Sequence, residues 1–259
     1  MKELLKTPSF GNGETEMFLY ESEIKTSRVV LLLKGIYGFH FQLDDFQTDL
    51  LGLKWDAAFI RYFLPHAHVV CVNTSRLIGY DQSSFKERRD SFEGKDYWNE
   101  ISDVSIAFER ALQVLVEKGI TTPEIHLIGK SFGGTTFLGM KEIAHKAVTI
   151  SMLGSGSGKS ETTTKPLLHT LPDEQELLET IKNYTGCFYS YRGELDEVVP
   201  LESQEKIIRA SGAKITSYIT LKGVDHEFEK MHGEDSIEPG MIVRKMILDA
   251  IMMNTKQKS

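Results

Sequence analysis

An uninterrupted apolar run near the N-terminus is the feature that most restricts the fold of this chain. The segment from Arg28 to Lys34 reads VVLLL between Val29 and Leu33. A strand with one solvated face alternates apolar and polar residues, so a continuous run predicts a strand covered on both faces. A second run, from His66 to Asn73, contains Val69, Val70, Cys71 and Val72 and predicts another buried strand.

Helical patterns separate these and further strand patterns along the chain. We predict strands at residues 17–20, 28–34, 66–73, 124–128, 146–151, 187–191 and 215–221. Helices are predicted at residues 53–63, 100–118, 132–145, 172–184, 201–210 and 241–253. This alternation predicts an α/β fold with a mostly parallel central sheet flanked by helices. A length of 259 residues suits one well-buried domain, so we predict a single domain over residues 1–259.

A Gly-x-Ser-x-Gly motif, Gly129-Lys130-Ser131-Phe132-Gly133, lies between a predicted strand and a predicted helix. A serine at such a tight turn has a strained backbone, and glycines at both sides leave room for it. The turn directs the serine hydroxyl out of the sheet edge. This setting predicts that Ser131 is a nucleophile.

A serine nucleophile needs a base, and the base works best when a carboxylate orients it. The loop after the strand at 187–191 contains Asp196, and the loop after the strand at 215–221 contains His226. The order Ser, Asp, His along the chain is the order expected for a strand-turn-helix serine. Glu194, Glu197 and Asp225 are competing candidates for the acid, although Asp225 would have to fold back on its neighbour.

Together these motifs resemble the α/β-hydrolase family, and within it the small esterase and acyl-hydrolase branch. The resemblance covers nearly the whole chain. It implies that Ser131 is the nucleophile, that His226 is the general base and then the acid, and that Asp196 orients His226. Only the polar, glycine-rich segment from Leu153 to Leu171 is available for a lid, so no large lid domain is expected.

The resemblance also implies an oxyanion hole made of two backbone N–H groups. Phe132 should supply the first N–H. The second should come from the loop Gly35-Ile36-Tyr37-Gly38, with Ile36 as first choice and Tyr37 as second. The chain has Lys34-Gly35 where the family usually has His-Gly, a departure that backbone donors tolerate.

Composition excludes several other classes of protein. The 30 basic residues are scattered among 37 acidic ones, for a net charge of −7, which argues against a nucleic-acid partner. No apolar stretch approaches a membrane span, and the N-terminus lacks an apolar signal core, so we expect no membrane association and a soluble, cytoplasmic protein. Cys71 and Cys187 lie in apolar strands and predict buried free thiols.

Other motifs fail on their spacing. Gly154 to Ser160 resembles a phosphate-binding loop, but Leu153 stands where the first glycine is needed. A zinc helix beginning at His226 would need histidine where Lys230 stands. His66 and His68 share a strand face without a third ligand, and Lys130 diverges from Ser131 at the turn. We therefore expect neither a metal nor another cofactor.

The sequence predicts a serine hydrolase that cleaves a small or medium acyl ester of a small molecule, with thioester and amide as alternatives. Peptidase activity on the same residues, with the charged segment 87–93 reading a peptide terminus, stays open. A non-catalytic binding protein of the same fold stays open as well. The aromatic stretch from Tyr80 to Trp98 could line the pocket or pack as a surface loop. The natural substrate and the oligomeric state are undetermined by the sequence.

Overall fold

A computed structural model describes residues 2–9, 14–33, 60–74, 97–140, 144–150, 171–226 and 239–253. Their strands are β1 (Lys2–Pro8), β2 (Glu14–Tyr20), β3 (Arg28–Leu33), β4 (His68–Asn73), β5 (Glu124–Lys130), β6 (Lys146–Ile150), β7 (Cys187–Gly193) and β8 (Ile215–Leu221). Their helices are α1 (Tyr97–Glu117), α2 (Phe132–Leu138), α3 (Glu174–Lys182), α4 (Leu201–Ala210) and α5 (Pro239–Met252). Residues 60–63 are also helical.

All eight strands form one sheet in the order β1-β2-β4-β3-β5-β6-β7-β8. From β4 to β8 every pairing is parallel, while β1 and β2 are antiparallel at one edge. The predicted fold class, α/β with a mostly parallel sheet, is confirmed. The prediction of a single domain stays a prediction.

The antiparallel edge was not fully predicted. Strand β1 was missed, and β2 begins at Glu14 rather than at Met17. The reason is that β1 reads KELLKTP and is buried only at Thr7, so it lacks the apolar signal of an inner strand. Its order comes from backbone pairing with β2 along its full length, from Lys2 opposite Tyr20 to Pro8 opposite Glu14.

The sheet is covered on both faces, as its apolar strands require. One core contains alternate sheet residues such as Leu31 and Val70 together with buried side chains of α1, α2, α3 and α4. The other contains Val30 and Cys71 with Phe63 and with Ile247 of α5. No helix within the described ranges combines the length and the apolar character needed to cross a bilayer.

Helix α2 is shorter than predicted. It ends at Leu138 instead of continuing to His145, because the N–H groups of Gly139 and Met140 turn back to the carbonyls of Thr136 and Phe137. Such three-residue bonds tighten and end a helix. The helix that follows the serine is therefore a short element held between β5, β6 and its helical neighbours.

Candidate active site

Ser131 lies at the turn between β5 and α2 with a strained backbone. Its φ is 52° and its ψ is −119°, and it is the one non-glycine residue with positive φ in the described part of the chain. An L-residue avoids this region unless its surroundings enforce it, at a cost of about 1–3 kcal/mol. Strain of this kind at a serine is the geometry of a nucleophile elbow.

Gly129 allows the elbow to close. A Cβ on this residue would lie 2.5 Å from the carbonyl oxygen of Gly133 and 2.6 Å from the backbone nitrogen of Gly134. These are backbone atoms of the first turn of α2, which cannot move aside without displacing the helix. The missing Cβ of Gly129 thus lets the end of β5 and the start of α2 approach each other directly.

Asp196 lies in the loop after β7, where backbone groups fix its carboxylate. Its Oδ1 accepts hydrogen bonds from the N–H groups of Val198 and Val199, both at 3.0 Å. The buried guanidinium of Arg192 donates to the carbonyls of Val199 at 2.7 Å and Asp196 at 2.8 Å. The loop is therefore closed on itself around a buried carboxylate whose orientation is set before any partner binds.

His226 lies in the loop after β8 and contacts this carboxylate. Its Nδ1 is 3.0 Å from both Oδ1 and Oδ2 of Asp196, and both side chains are buried. A carboxylate only accepts hydrogen bonds, so the proton of the neutral imidazole lies on Nδ1. The other ring nitrogen, Nε2, is then the one that can accept a proton.

Backbone hydrogen bonds join the loop that contains Asp196, here called the acid loop, to the loop that contains His226. Leu195 N–H donates to the carbonyl of Val224 at 2.8 Å, and Glu194 N–H donates to that of Leu221 at 2.9 Å. The Glu194 carboxylate accepts from the N–H of Gly223 at 2.8 Å. Glu194, a competing candidate for the acid, thus contributes to this loop junction.

Gly193 makes the junction possible, and its replacement tests the junction. A Cβ there would lie 2.2 Å from the carbonyl oxygen of Val224 and 2.5 Å from that of Asp225. We expect Gly193→Ala to lower the free energy of unfolding by about 3 kcal/mol, since the loops must separate to admit the methyl group. Thermal unfolding measures this cost, and the NMR resonance of the His226 Nδ1 proton should shift or broaden.

The matched control is Gly223→Ala in the partner loop. Gly223 has a φ of 68°, and its added Cβ would meet nothing within 4 Å. It should cost about 1 kcal/mol through backbone strain alone and leave the Nδ1 resonance in place. Equal effects of the two variants on that resonance would contradict the junction.

The structure brings together Asp196 and His226, and it places Ser131 at the same edge of the sheet. The three residues follow β5, β7 and β8, which run parallel, so all lie beyond the carboxyl ends of the strands. Glu197 is exposed. Phe132 begins α2 directly after Ser131. Ile36 and Tyr37, the two candidates for the second oxyanion donor, lie outside the described residues.

Three other histidines among the described residues are buried in the sheet or contact the backbone. His126 is fully buried in β5, and burial lowers the pKa of its ring to about 3. The His145 Nδ1 accepts from the N–H of Ile125 at 3.0 Å. The His68 Nδ1 accepts from the N–H of Ser22, and its Nε2 lies 3.2 Å from the carbonyl of Thr26. His68, one of two histidines weighed as metal ligands, thus contacts the backbone through both ring nitrogens.

Two residues near the site were missed by sequence reasoning. Arg192 shapes the acid loop, and Tyr97 packs against Phe132 with ring centroids 6.2 Å apart. Tyr97 belongs to the aromatic stretch that could line the pocket or pack as a surface loop; it is buried in the core, whereas Trp98 is half-exposed. Residues 80–96 of that stretch lie outside the described ranges.

No protein-family model matches the sequence, and no curated protein matches it either. Solved structures do. A soluble variant of monoglyceride lipase from Saccharomyces cerevisiae aligns with a TM-score of 0.69 at 12% identity, over 97% of this chain and 94% of that one. The esterase domain of a Rhodothermus marinus protein aligns with a TM-score of 0.59 at 13% identity, over 97% and 98%.

A puromycin-hydrolyzing peptidase from Mycobacterium tuberculosis aligns with a TM-score of 0.64 at 16% identity, over 96% of this chain and 38% of that one. A serine hydrolase homologue from Coxiella burnetii aligns with a TM-score of 0.56 at 15% identity, over 96% of each chain. These proteins share a fold with this chain at identities too low to transfer an activity. The chain has the α/β-hydrolase fold, as its motifs predicted.

Proposed function

We propose that this protein is a serine hydrolase that cleaves a small or medium acyl ester through an acyl-enzyme intermediate. One observation carries the proposal: a buried carboxylate 3.0 Å from a histidine Nδ1, at the sheet edge that also bears a strained serine. Buried carboxylate–imidazole pairs of this kind orient a base toward a nucleophile. In this proposal Ser131, His226 and Asp196 form a catalytic triad.

In the first step the Ser131 Oγ attacks the carbonyl carbon of the ester, and its proton passes to the Nε2 of His226. The imidazolium is stabilised by Asp196, which stays ionised. The carbonyl oxygen becomes an oxyanion, for which the N–H of Phe132 is the first proposed donor and that of Ile36 or Tyr37 the second. Each such donor contributes about 3 kcal/mol to lowering the barrier.

The tetrahedral intermediate then collapses. The bond from carbon to the leaving oxygen breaks, that oxygen takes the proton from His226, and the acyl group remains on Ser131. A water molecule next gives a proton to the Nε2 of His226 and attacks the acyl carbon. The bond between the acyl carbon and the Ser131 Oγ then breaks, the Oγ takes the proton from His226, and the carboxylic acid is released from the restored enzyme.

The wild-type protein should become covalently labelled by a fluorophosphonate probe and should hydrolyse p-nitrophenyl esters with a burst of p-nitrophenol. A burst is expected whenever the acyl-enzyme forms faster than it is hydrolysed. Mass spectrometry of the intact protein would detect one added phosphonyl group, and peptide mapping should place that group on Ser131. No labelling and no turnover would contradict the proposal and favour a non-catalytic binding protein, whereas labelling of another residue would contradict the assignment of Ser131 as the nucleophile.

Peptidase activity is the competing reaction on the same residues. Aminoacyl p-nitroanilides offered beside p-nitrophenyl acetate and butyrate distinguish the two. A higher kcat/KM on the anilides would assign the triad to amide cleavage. We expect the acyl esters to be the better substrates.

A further inference from the structure

Tyr97 connects the start of α1 to the helix that follows Ser131, and its contacts are specific. Its side chain is 1% exposed, although the residue stands at the first position of α1. Burial raises the pKa of its phenol, so the hydroxyl is protonated and acts as a hydrogen-bond donor. The ring meets that of Phe132 edge to face, with an interplanar angle of 89°.

The Tyr97 hydroxyl donates to the carbonyl of Thr135 at 2.8 Å. This carbonyl lies in the last turn of α2. Nearby, Thr136 and Phe137 have theirs bonded by the N–H groups of Gly139 and Met140. Tyr97 thus holds α2 at two points, the ring of its first residue and a carbonyl one turn later.

We propose that Tyr97 is a positioning residue that holds the Phe132 N–H in place for the oxyanion. The inference rests on the proposed function, in which that N–H is a donor. Helix α2 has only seven residues, and its first peptide groups follow the strained backbone of Ser131. A short helix beside a strained turn needs contacts from neighbouring elements to keep its position, because strained conformations persist only where the surroundings enforce them. Tyr97 supplies two such contacts.

The distinguishing test is Tyr97→Phe, which keeps the ring against Phe132 and removes only the hydroxyl. Because misplacement of a donor affects the tetrahedral state more than the bound ester, kcat for p-nitrophenyl butyrate should fall about five- to tenfold with KM nearly unchanged. Inhibition by an alkyl trifluoromethyl ketone, which forms an oxyanion on the serine, should weaken by a similar factor.

Tyr184→Phe is a matched control, because Tyr184 follows α3 and contacts the same helix α2 at Phe137 instead of Phe132. Tyr184 is buried, its hydroxyl donates to the carbonyls of Ala144 and Cys187, and its ring meets Phe137 of α2 edge to face at 5.3 Å. It should lose as much thermal stability as Tyr97→Phe and keep the wild-type kcat and ketone affinity. Tyr97→Leu, which removes the ring as well, should lower kcat further than Tyr97→Phe.

The outcomes separate the two proposals. If the wild-type protein neither turns over esters nor binds the ketone, the proposed function fails. If the wild-type protein is active and Tyr97→Phe changes only the melting temperature, Tyr97 is structural and the positioning role is wrong. The same conclusion follows if Tyr184→Phe lowers kcat and ketone affinity by as much as Tyr97→Phe.

Discussion

Ser131→Ala is expected to abolish hydrolysis of p-nitrophenyl esters, with kcat reduced by at least about 10⁴-fold. The proposed mechanism loses its nucleophile, and neither His226 nor the oxyanion donors can form the acyl-enzyme without it. Covalent labelling by the fluorophosphonate should disappear completely. Steady-state kinetics and intact mass spectrometry measure the two effects on one preparation, and a folded variant is verified by its thermal unfolding.

The strain at Ser131 gives this experiment a second, independent readout. Alanine keeps the unfavourable φ of 52°, whereas glycine adopts it without a Cβ penalty. Ser131→Gly should therefore be as inactive as Ser131→Ala. Its free energy of unfolding should be higher than that of Ser131→Ala by up to about 1 kcal/mol, because the relief of strain exceeds the larger entropy that glycine loses on folding. Retained labelling in either variant would show that another residue is the nucleophile. A Ser131→Gly variant less stable than Ser131→Ala would contradict backbone strain at this position.

Several elements were predictable because their sequence patterns are local. The structure reproduces α4 and β8 with the predicted bounds, Leu201–Ala210 and Ile215–Leu221. Helix α4 follows Pro200, which suits the start of a helix, and β8 reads ITSYITL, which is rich in β-branched residues although the strand lies at a sheet edge. Strand β1, at the opposite edge, could not be found this way, because its sequence KELLKTP contains few residues that favour strands and its order comes from pairing with β2.

The same distinction, between local sequence patterns and contacts made only in the folded chain, applies to the residues around the site. The elbow has a sequence signature because Gly129 must lack a Cβ, and that requirement is visible in the sequence. Tyr97 and Thr135 are 38 residues apart, and their contact depends on how α1 crosses α2. Arg192 binds backbone carbonyls, which every residue possesses, so its partners leave no trace in the sequence. Local backbone requirements were predictable from the sequence, and the contact of Asp196 with His226 was expected from the family resemblance, whereas the contacts of Tyr97 and Arg192 were not predicted.

Asp196→Asn should reduce kcat by about 10³- to 10⁴-fold at neutral pH while leaving the fold intact. The loop dictates how the new amide is oriented. Since the N–H groups of Val198 and Val199 both donate to the Oδ1 position, the amide oxygen must occupy it, and the NH₂ group takes the Oδ2 position, which also lies 3.0 Å from the His226 Nδ1. An NH₂ facing Nδ1 makes that nitrogen an acceptor and moves the ring proton to Nε2. His226 can then no longer take the proton of Ser131.

The neighbouring carboxylate provides the control, because Glu197→Gln removes the same charge from the same loop. Glu197 is exposed, and we expect its neutralisation to change kcat by less than about twofold, since exposed charges act weakly through solvent. The two variants should also differ in the spectrum of the His226 ring, where the Nδ1 proton resonance is lost only in Asp196→Asn. Wild-type activity in Asp196→Asn together with inactivity in Asp225→Asn would instead identify Asp225 as the acid. Loss of activity in Asp196→Asn is the expected result, because control of the tautomer requires direct contact and Asp196 lies 3.0 Å from the His226 Nδ1.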